Sequence, residues 1–128
     1  MVEAAIYSLL STATSVVAIA GPRIYPLLMP IDFVVPAITY QIVSSVSSPG
    51  LMTAGMQKIR VQIDCFGNDY SDAVTLRAAV VSSLNGFSGT VQGVPISNFS
   101  KISQSDLFDH DALLYRAMVE FYLLTTIQ

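Results

Sequence analysis

The sequence predicts an α+β fold, a mostly antiparallel sheet of about four strands with two main helices packed on one face. Three observations carry that reading. In residues 58–66, Ile59, Val61, Ile63 and Cys65 alternate with Lys58, Arg60, Gln62 and Asp64, the pattern of a strand with one face buried. Ala73, Leu76, Val80 and Leu84 recur at spacings of three and four, the pattern of a helix with one apolar stripe. The elements follow in the order helix, strand, strand, helix, strand, strand, and such runs fold as helices segregated to one face of an antiparallel sheet. The 128 residues are read as a single domain, 1–128, with one core.

At the N-terminus Ile6, Leu9, Leu10 and Ala13 fall at helical spacing, with Glu3 well placed in the first turn. The helix is expected to falter around residues 11–14, resume over 15–20 and stop at Gly21-Pro22. Residues 4–21 carry no charge and end in Ala18-Ile19-Ala20-Gly21, which imitates a signal-peptidase site. A signal peptide needs a positive leading region, and here only Glu3 precedes the apolar run. Pro22, Arg23, Pro26, Pro30 and Asp32 then interrupt that run, so a membrane span fails too. Read with Met1 as its start, the segment is expected to be core.

Pro22, Pro26, Pro30 and Pro36 keep residues 22–36 irregular, apart from a short extended piece at 23–25. Residues 37–46 read as a strand, with Ile38, Tyr40 and Ile42 facing one way and Thr39 and Gln41 the other. Residues 44–56 form a long loop or hairpin arm, Ser-rich at its start yet carrying Leu51, Met52 and Met56. Asp69 is expected to cap the second main helix, with Asp72 in its first turn and Asn85-Gly86 at its close. Thr75, Arg77, Ser82 and Ser83 fall on its polar face. Residues 94–103 and 115–124 read as two further strands. In the second, Tyr115, Ala117, Val119, Phe121 and Leu123 alternate with Arg116, Met118, Glu120 and Tyr122. Between them Asp106, Asp109 and Asp111 read as an acidic turn.

Composition narrows the function. Apolar residues make up 52% of the chain and charged residues 12%, about half the usual charged share. The surface must therefore be built from Ser, Thr, Gln and exposed apolar groups, which leaves either a monomer with a hydroxyl-rich skin or a subunit that lives in contacts. The net charge of −3 and the scattered Arg23, Lys58, Arg60, Arg77, Lys101 and Arg116 offer no cluster that would neutralise a run of phosphates. The single cysteine, Cys65, excludes an intrachain disulfide and fits a reducing cytoplasm.

Candidate chemistry is sparse. His110 between Asp109 and Asp111 supplies one imidazole and two carboxylates on neighbouring positions, which one short segment cannot close into a coordination shell. A dyad of Cys65 and His110 would need an exposed thiol in an electropositive site, whereas Cys65 sits on the apolar side of its strand. Gly86, Gly89 and Gly93 follow a helix where a phosphate loop would precede one, and no Gly-x-Ser-x-Gly elbow occurs. No cofactor, metal or catalytic residue is expected.

The run Gly21-Pro22-Arg23-Ile24-Tyr25-Pro26, then Val35-Pro36-Ala37-Ile38-Thr39-Tyr40-Gln41, resembles the opening of the tail-completion (tail-terminator) proteins of long-tailed bacteriophages, which read G-x-R-I-Y-P and later P-Y-x-x-Y-Q. Arg60-Val61-Gln62-Ile63-Asp64-Cys65-Phe66 is similar to the family's R-V-Q-I-D with a following hydrophobic residue and an aromatic. Tyr70-Ser71-Asp72-Ala73, Leu84-Asn85-Gly86-Phe87-Ser88-Gly89, Leu107-Phe108-Asp109 and Leu114-Tyr115-Arg116 continue the resemblance in order over nearly the whole chain. Two departures stand out: Ala37 replaces an aromatic, and His110-Asp111 replaces Pro-Glu in the last turn.

The resemblance implies a tail-terminator-like fold and a structural virion protein of the tail and neck, assembled in the host cytoplasm. Such a subunit forms a ring, a homohexamer, at the head-proximal end of the tail tube, ends tube growth and joins the tail to the head. Its partners are further copies of itself, the tail tube protein and a neck stopper or connector protein. Genomic DNA passes through without sequence-specific binding, and no membrane is involved. Leu27, Leu28, Met29, Leu51, Met52 and Met56 are the expected assembly contacts, because apolar and adaptable side chains stand there in irregular segments. Asp106, Asp109 and Asp111 are candidate lumen or turn acids. A neck stopper or adaptor ring, and a small enzyme using Cys65 and His110, are the competing readings.

Overall fold

The alternating stretch around Val61 does build a strand, and that strand lies inside a six-stranded sheet rather than one of about four strands. The computed structural model describes residues 2–47, 56–110 and 113–126. Among them, helices α1 (Val2–Thr12) and α2 (Thr14–Ala20) precede strands β1 (Ile24–Pro26), β2 (Ala37–Ser47) and β3 (Met56–Gly67). Helix α3 (Tyr70–Leu84) and strands β4 (Gly89–Val91), β5 (Val94–Asp109) and β6 (Leu114–Thr126) follow. The sheet order is β1-β2-β3-β6-β5-β4. Every pairing is antiparallel except β1 with β2, so the sheet is mixed. The two extra strands are three residues each, too short to show a period of two.

Sheet and helices meet over one apolar layer. Ile59, Val61, Ile63 and Cys65 from β3 and Ala117, Val119, Phe121 and Leu123 from β6 are all buried against Ala73, Leu76, Val80 and Leu84 of α3. Phe99 of β5 stands edge-on to Phe121, ring centres 5.0 Å apart, and both are fully enclosed. Val2, Ala5, Ile6, Leu10, Val16 and Ala20 bring the N-terminal segment into the same core, as its charge-free sequence implied. No single helix among the described residues is long and apolar enough to cross a membrane, and α1 and α2 meet at 81°.

Among the described residues there are three helices, because the expected falter splits the N-terminal segment into α1 and α2. The break falls at Ala13, which is extended, and the hydroxyls of Ser11 and Thr12 both donate back to the Ser8 carbonyl. Such hydroxyl competition for the backbone is what weakens a helix end. Asp69 does occupy the N-cap of α3, but its side chain makes no capping bond; only its carbonyl is engaged, by the Ala73 N–H at 3.3 Å. Asn85 and Gly86 close α3, with Gly86 at φ 85°, where a Cβ would be strained. At the start of the helix, a Cβ on Gly67 would stand 2.9 Å from both the Ala73 nitrogen and the Asp72 Cβ, so only glycine lets β3 turn this closely into α3.

The acidic turn is corrected as well. Strand β5 continues to Asp109, and Asp106 and Asp109 pair with Ala117 and Leu114 of β6. Ladder hydrogen bonds to β6 hold these two acids in a strand despite the turn preference of aspartate. Asp111 lies outside the described residues.

Candidate assembly surface

Cys65 and His110 do not form a site. Cys65 is wholly buried in β3, and burial pushes its thiol far above the ordinary value. His110 is exposed beyond β5, where it stands edge-on to Phe108 at 5.0 Å. Among the described residues no group of three His, Cys, Asp or Glu side chains is placed to hold a metal.

The features that do present themselves are surfaces. Four large apolar side chains project from the irregular segment at 27–34: Leu27, Leu28, Ile31 and Val34 are 64%, 80%, 104% and 60% exposed. The segment is anchored at its two ends. The Leu27 N–H donates to the Tyr40 carbonyl at 2.9 Å, and the Arg23 guanidinium donates from Nε to the Pro36 carbonyl at 2.8 Å and from Nη2 to the Ile19 carbonyl at 3.4 Å. Leu27 takes a left-handed backbone at φ 63°, and Val35-Pro36 is cis. Prolines thus break regular structure while Arg23 ties the segment to α2 and β2, so the apolar tips face outward. Leu27 and Leu28 were expected contacts and are exposed; Met29 is half-buried. Ile31 and Val34, the equally apolar neighbours, were not named from sequence. Their signal was an apolar run between Pro30 and Pro36 too irregular to belong to any strand. Leu51 and Met52 lie outside the described residues, and Met56 begins the backbone of β3.

The second surface is the sheet face turned away from the helices. It is polar and internally paired. The Arg60 guanidinium holds both carboxylate oxygens of Glu120 at 3.0 Å, and the Ser103 hydroxyl donates to the same group at 3.0 Å. That pairing raises the guanidinium's pKa and holds Glu120 below the usual carboxylate value. Arg116 donates to Asp64 at 3.1 Å, Gln62 donates to both Asp64 oxygens at 3.2 Å, and the Thr39 hydroxyl reaches it at 3.5 Å. The Lys58 ammonium sits 4.0 Å from the Tyr122 ring centre. Glu120 and Asp64 are thus each paired with an arginine.

Arg77 overturns its sequence assignment. It was placed on the polar outer face of α3, yet it is buried, donating from Nη1 to Asp106 Oδ1 at 2.5 Å and to the Ser105 carbonyl at 3.0 Å. Tyr70 donates its hydroxyl to the other Asp106 oxygen at 2.5 Å. These two bonds, Tyr70 first, depress the Asp106 pKa, and the same contact raises that of Tyr70. Asp106 is therefore a docking point between α3 and β5 rather than a loose turn acid.

With that geometry in view, the family described as tail completion protein gp17 matches residues 4–126. The chain belongs to this family. Its members are structural proteins of the phage tail, the broad role the resemblance implied. Among solved structures, a chain in the virion of a native gene transfer agent particle superposes with a TM-score of 0.77 at 15% identity, over 97% of this chain and 93% of that one. Another solved chain superposes with a TM-score of 0.65 at 8% identity, over 99% of this chain and 94% of that one. At such identities the likeness is one of fold. No curated protein sequence matches the chain.

Proposed function

We propose that the protein is a subunit of a ring, a homohexamer, at the head-proximal end of a phage tail tube. The ring ends tube growth, joins the tail to the neck and lets DNA pass. Family membership over residues 4–126 is the observation that carries this reading. The exposed apolar cluster at 27–34 supports it, since side chains this apolar and this outward mark contact with a partner. Leu27, Leu28 and Met29, joined here by Ile31 and Val34, are the proposed contacts to the tube or to a neighbouring subunit, and Leu51, Met52 and Met56 are proposed as contacts too. Tail tube protein lies on one side of the ring and a neck stopper or connector protein on the other, within the virion, after assembly in the host cytoplasm. The open sheet face, with its paired charges, suits a surface past which DNA must slide without being held.

Adding the purified protein to growing tail tubes tests the role. Tubes that stop lengthening and carry density at one end bear out the terminator reading. Tubes that grow on unchanged move the protein to the adjacent stopper layer of the neck.

A further inference from the structure

On the outer side of β5 the first part is paired, and farther along the Ser105 carbonyl accepts one bond from Arg77, which leaves it a second lone pair. Strand β4 takes Val94 to Ile96, the backbone of Gly86 and Phe87 meets Phe99, and the Asn85 side chain accepts from the Lys101 N–H. From Ile102 to Asp109 no strand among the described residues lies beside it, and every residue from Lys101 to His110 is exposed. The opposite edge of the sheet repeats the situation. Strand β1 covers Ile38 to Tyr40, and from Gln41 to Ser47 no described strand lies beyond β2. Open edges of this length present rows of N–H and C=O groups to another chain.

We propose that ring neighbours join through these two edges. Residues 102–109 of one copy pair antiparallel with residues 41–47 of the next, and the sheet runs on from subunit to subunit. This rests on the ring reading above and specifies its interface.

Strand direction is the first support. Cyclic symmetry gives every copy the same sense along the ring axis, and its contacts join two different patches. The long strands β2, β3, β6 and β5 alternate in direction. With an even number of them, β5 of one copy meets β2 of the next in the opposite sense, and the alternation is never broken.

Register is the second. Gln104 is level with Val119, Val119 with Ile63 and Ile63 with Tyr40, so an unsheared repeat would set Gln104 against the part of β2 already taken by β1. A sheet that closes on itself must shear, by about one residue per strand, or about four residues over the four long strands of a copy. That moves the partner of Gln104 from Tyr40 to Ser44 or Ser45, in the open stretch. With the crossover from β3 through α3 to β5 in its usual right hand and the helices outside, the shear runs in this sense.

Side-chain faces agree as well. Ser44 stands opposite Arg60 and Ser105 opposite Met118, both on the side away from the helices. Pairing Ser105 with Ser44 therefore keeps the helices of successive copies on one side of the joined sheet. It also covers Val43, Ile102 and Leu107, which are exposed in the single subunit.

The double variant Ser105→Cys/Ser44→Cys, assembled and oxidised, tests the contact; the native Cys65 is buried and takes no part. Covalent multimers up to the full ring are expected on a non-reducing gel, with neither single variant producing them. In parallel, amide exchange on the wild-type ring is expected to be slow at residues 41–47 and 102–109. Slow exchange without the disulfide upholds the edge contact in another register. A ring whose amides at both edges exchange freely and which forms no multimers overturns the edge contact and leaves the ring reading standing. A protein that forms no ring, alone or on tubes, overturns both.

Discussion

Arg77 of α3 and Asp106 of β5 stand 2.5 Å apart, 29 positions apart in sequence, and fix the helix to the part of the strand that projects beyond the core. The guanidinium is 9% exposed and the carboxylate 41%, so this is a half-screened pair rather than a buried one. Its two ends are therefore not equivalent. Removing Asp106 leaves a buried cation that water reaches poorly, while removing Arg77 leaves a carboxylate that water and Tyr70 still serve.

Asp106→Ala, which strands the guanidinium, and Arg77→Ala, which loses the packing of its stem, are each expected to lower stability by about 2–3 kcal/mol. The double variant should cost clearly less than the sum, with a coupling of about 1 kcal/mol read from urea midpoints. Additive losses would mean that the pair is incidental.

Acid should weaken the fold through two carboxyls. Asp106 is held below its ordinary 3.8, chiefly by the Tyr70 hydroxyl and Arg77, and Glu120 below its ordinary 4.5, chiefly by Arg60. A group depressed in the folded state contributes stability above its unfolded pKa and loses it as pH falls through the folded one. Urea midpoints should thus hold steady from neutrality to about pH 5 and fall below about pH 4. Glu120→Gln should make that fall shallower; an unchanged acid limb would exclude the Arg60 pair as its cause.

The Phe99–Phe121 contact joins β5 to β6 inside the core. Phe99→Ala should cost about 3–5 kcal/mol by opening a cavity, with Phe99→Leu milder. Calorimetric melting of the two variants checks the order.

Cys65 separates a scaffold from an enzyme. Its thiol is buried and its pKa raised, so it is expected to ignore thiol reagents in the folded protein and to react on unfolding. Rapid labelling of the native chain would revive the dyad with His110.

Leu28→Asp and Ile31→Asp change side chains that touch little in the single subunit. Each is expected to shift folding stability by no more than about 0.5 kcal/mol while abolishing the joining of tails to heads. Normal joining by the double variant would remove the segment from the assembly surface.

Much of the core was legible because burial on one face imposes a period. The alternation of β3 and β6 and the stripe of α3 follow from side chains that must point at one layer, and the falter near Ala13 from the Ser and Thr hydroxyls that precede it. Strand β5 was cut short because its second half projects past the core: Ser103, Gln104, Ser105 and Asp106 have no buried face and so no period. Arg77 was misplaced for a related reason. Its partner is distant in sequence, and a buried cation at a polar helix position looks like a solvated one until the strand that receives it is known. The proline-rich segment showed its irregularity in sequence, but not that Ile31 and Val34 would point outward.

The ring is the central claim, and the mass of the purified protein by light scattering over a wide concentration range tests it most directly. A mass of six subunits, reached in free solution or on adding tail tubes, is the expected result. A strict monomer at every concentration that leaves tube ends bare would contradict the account.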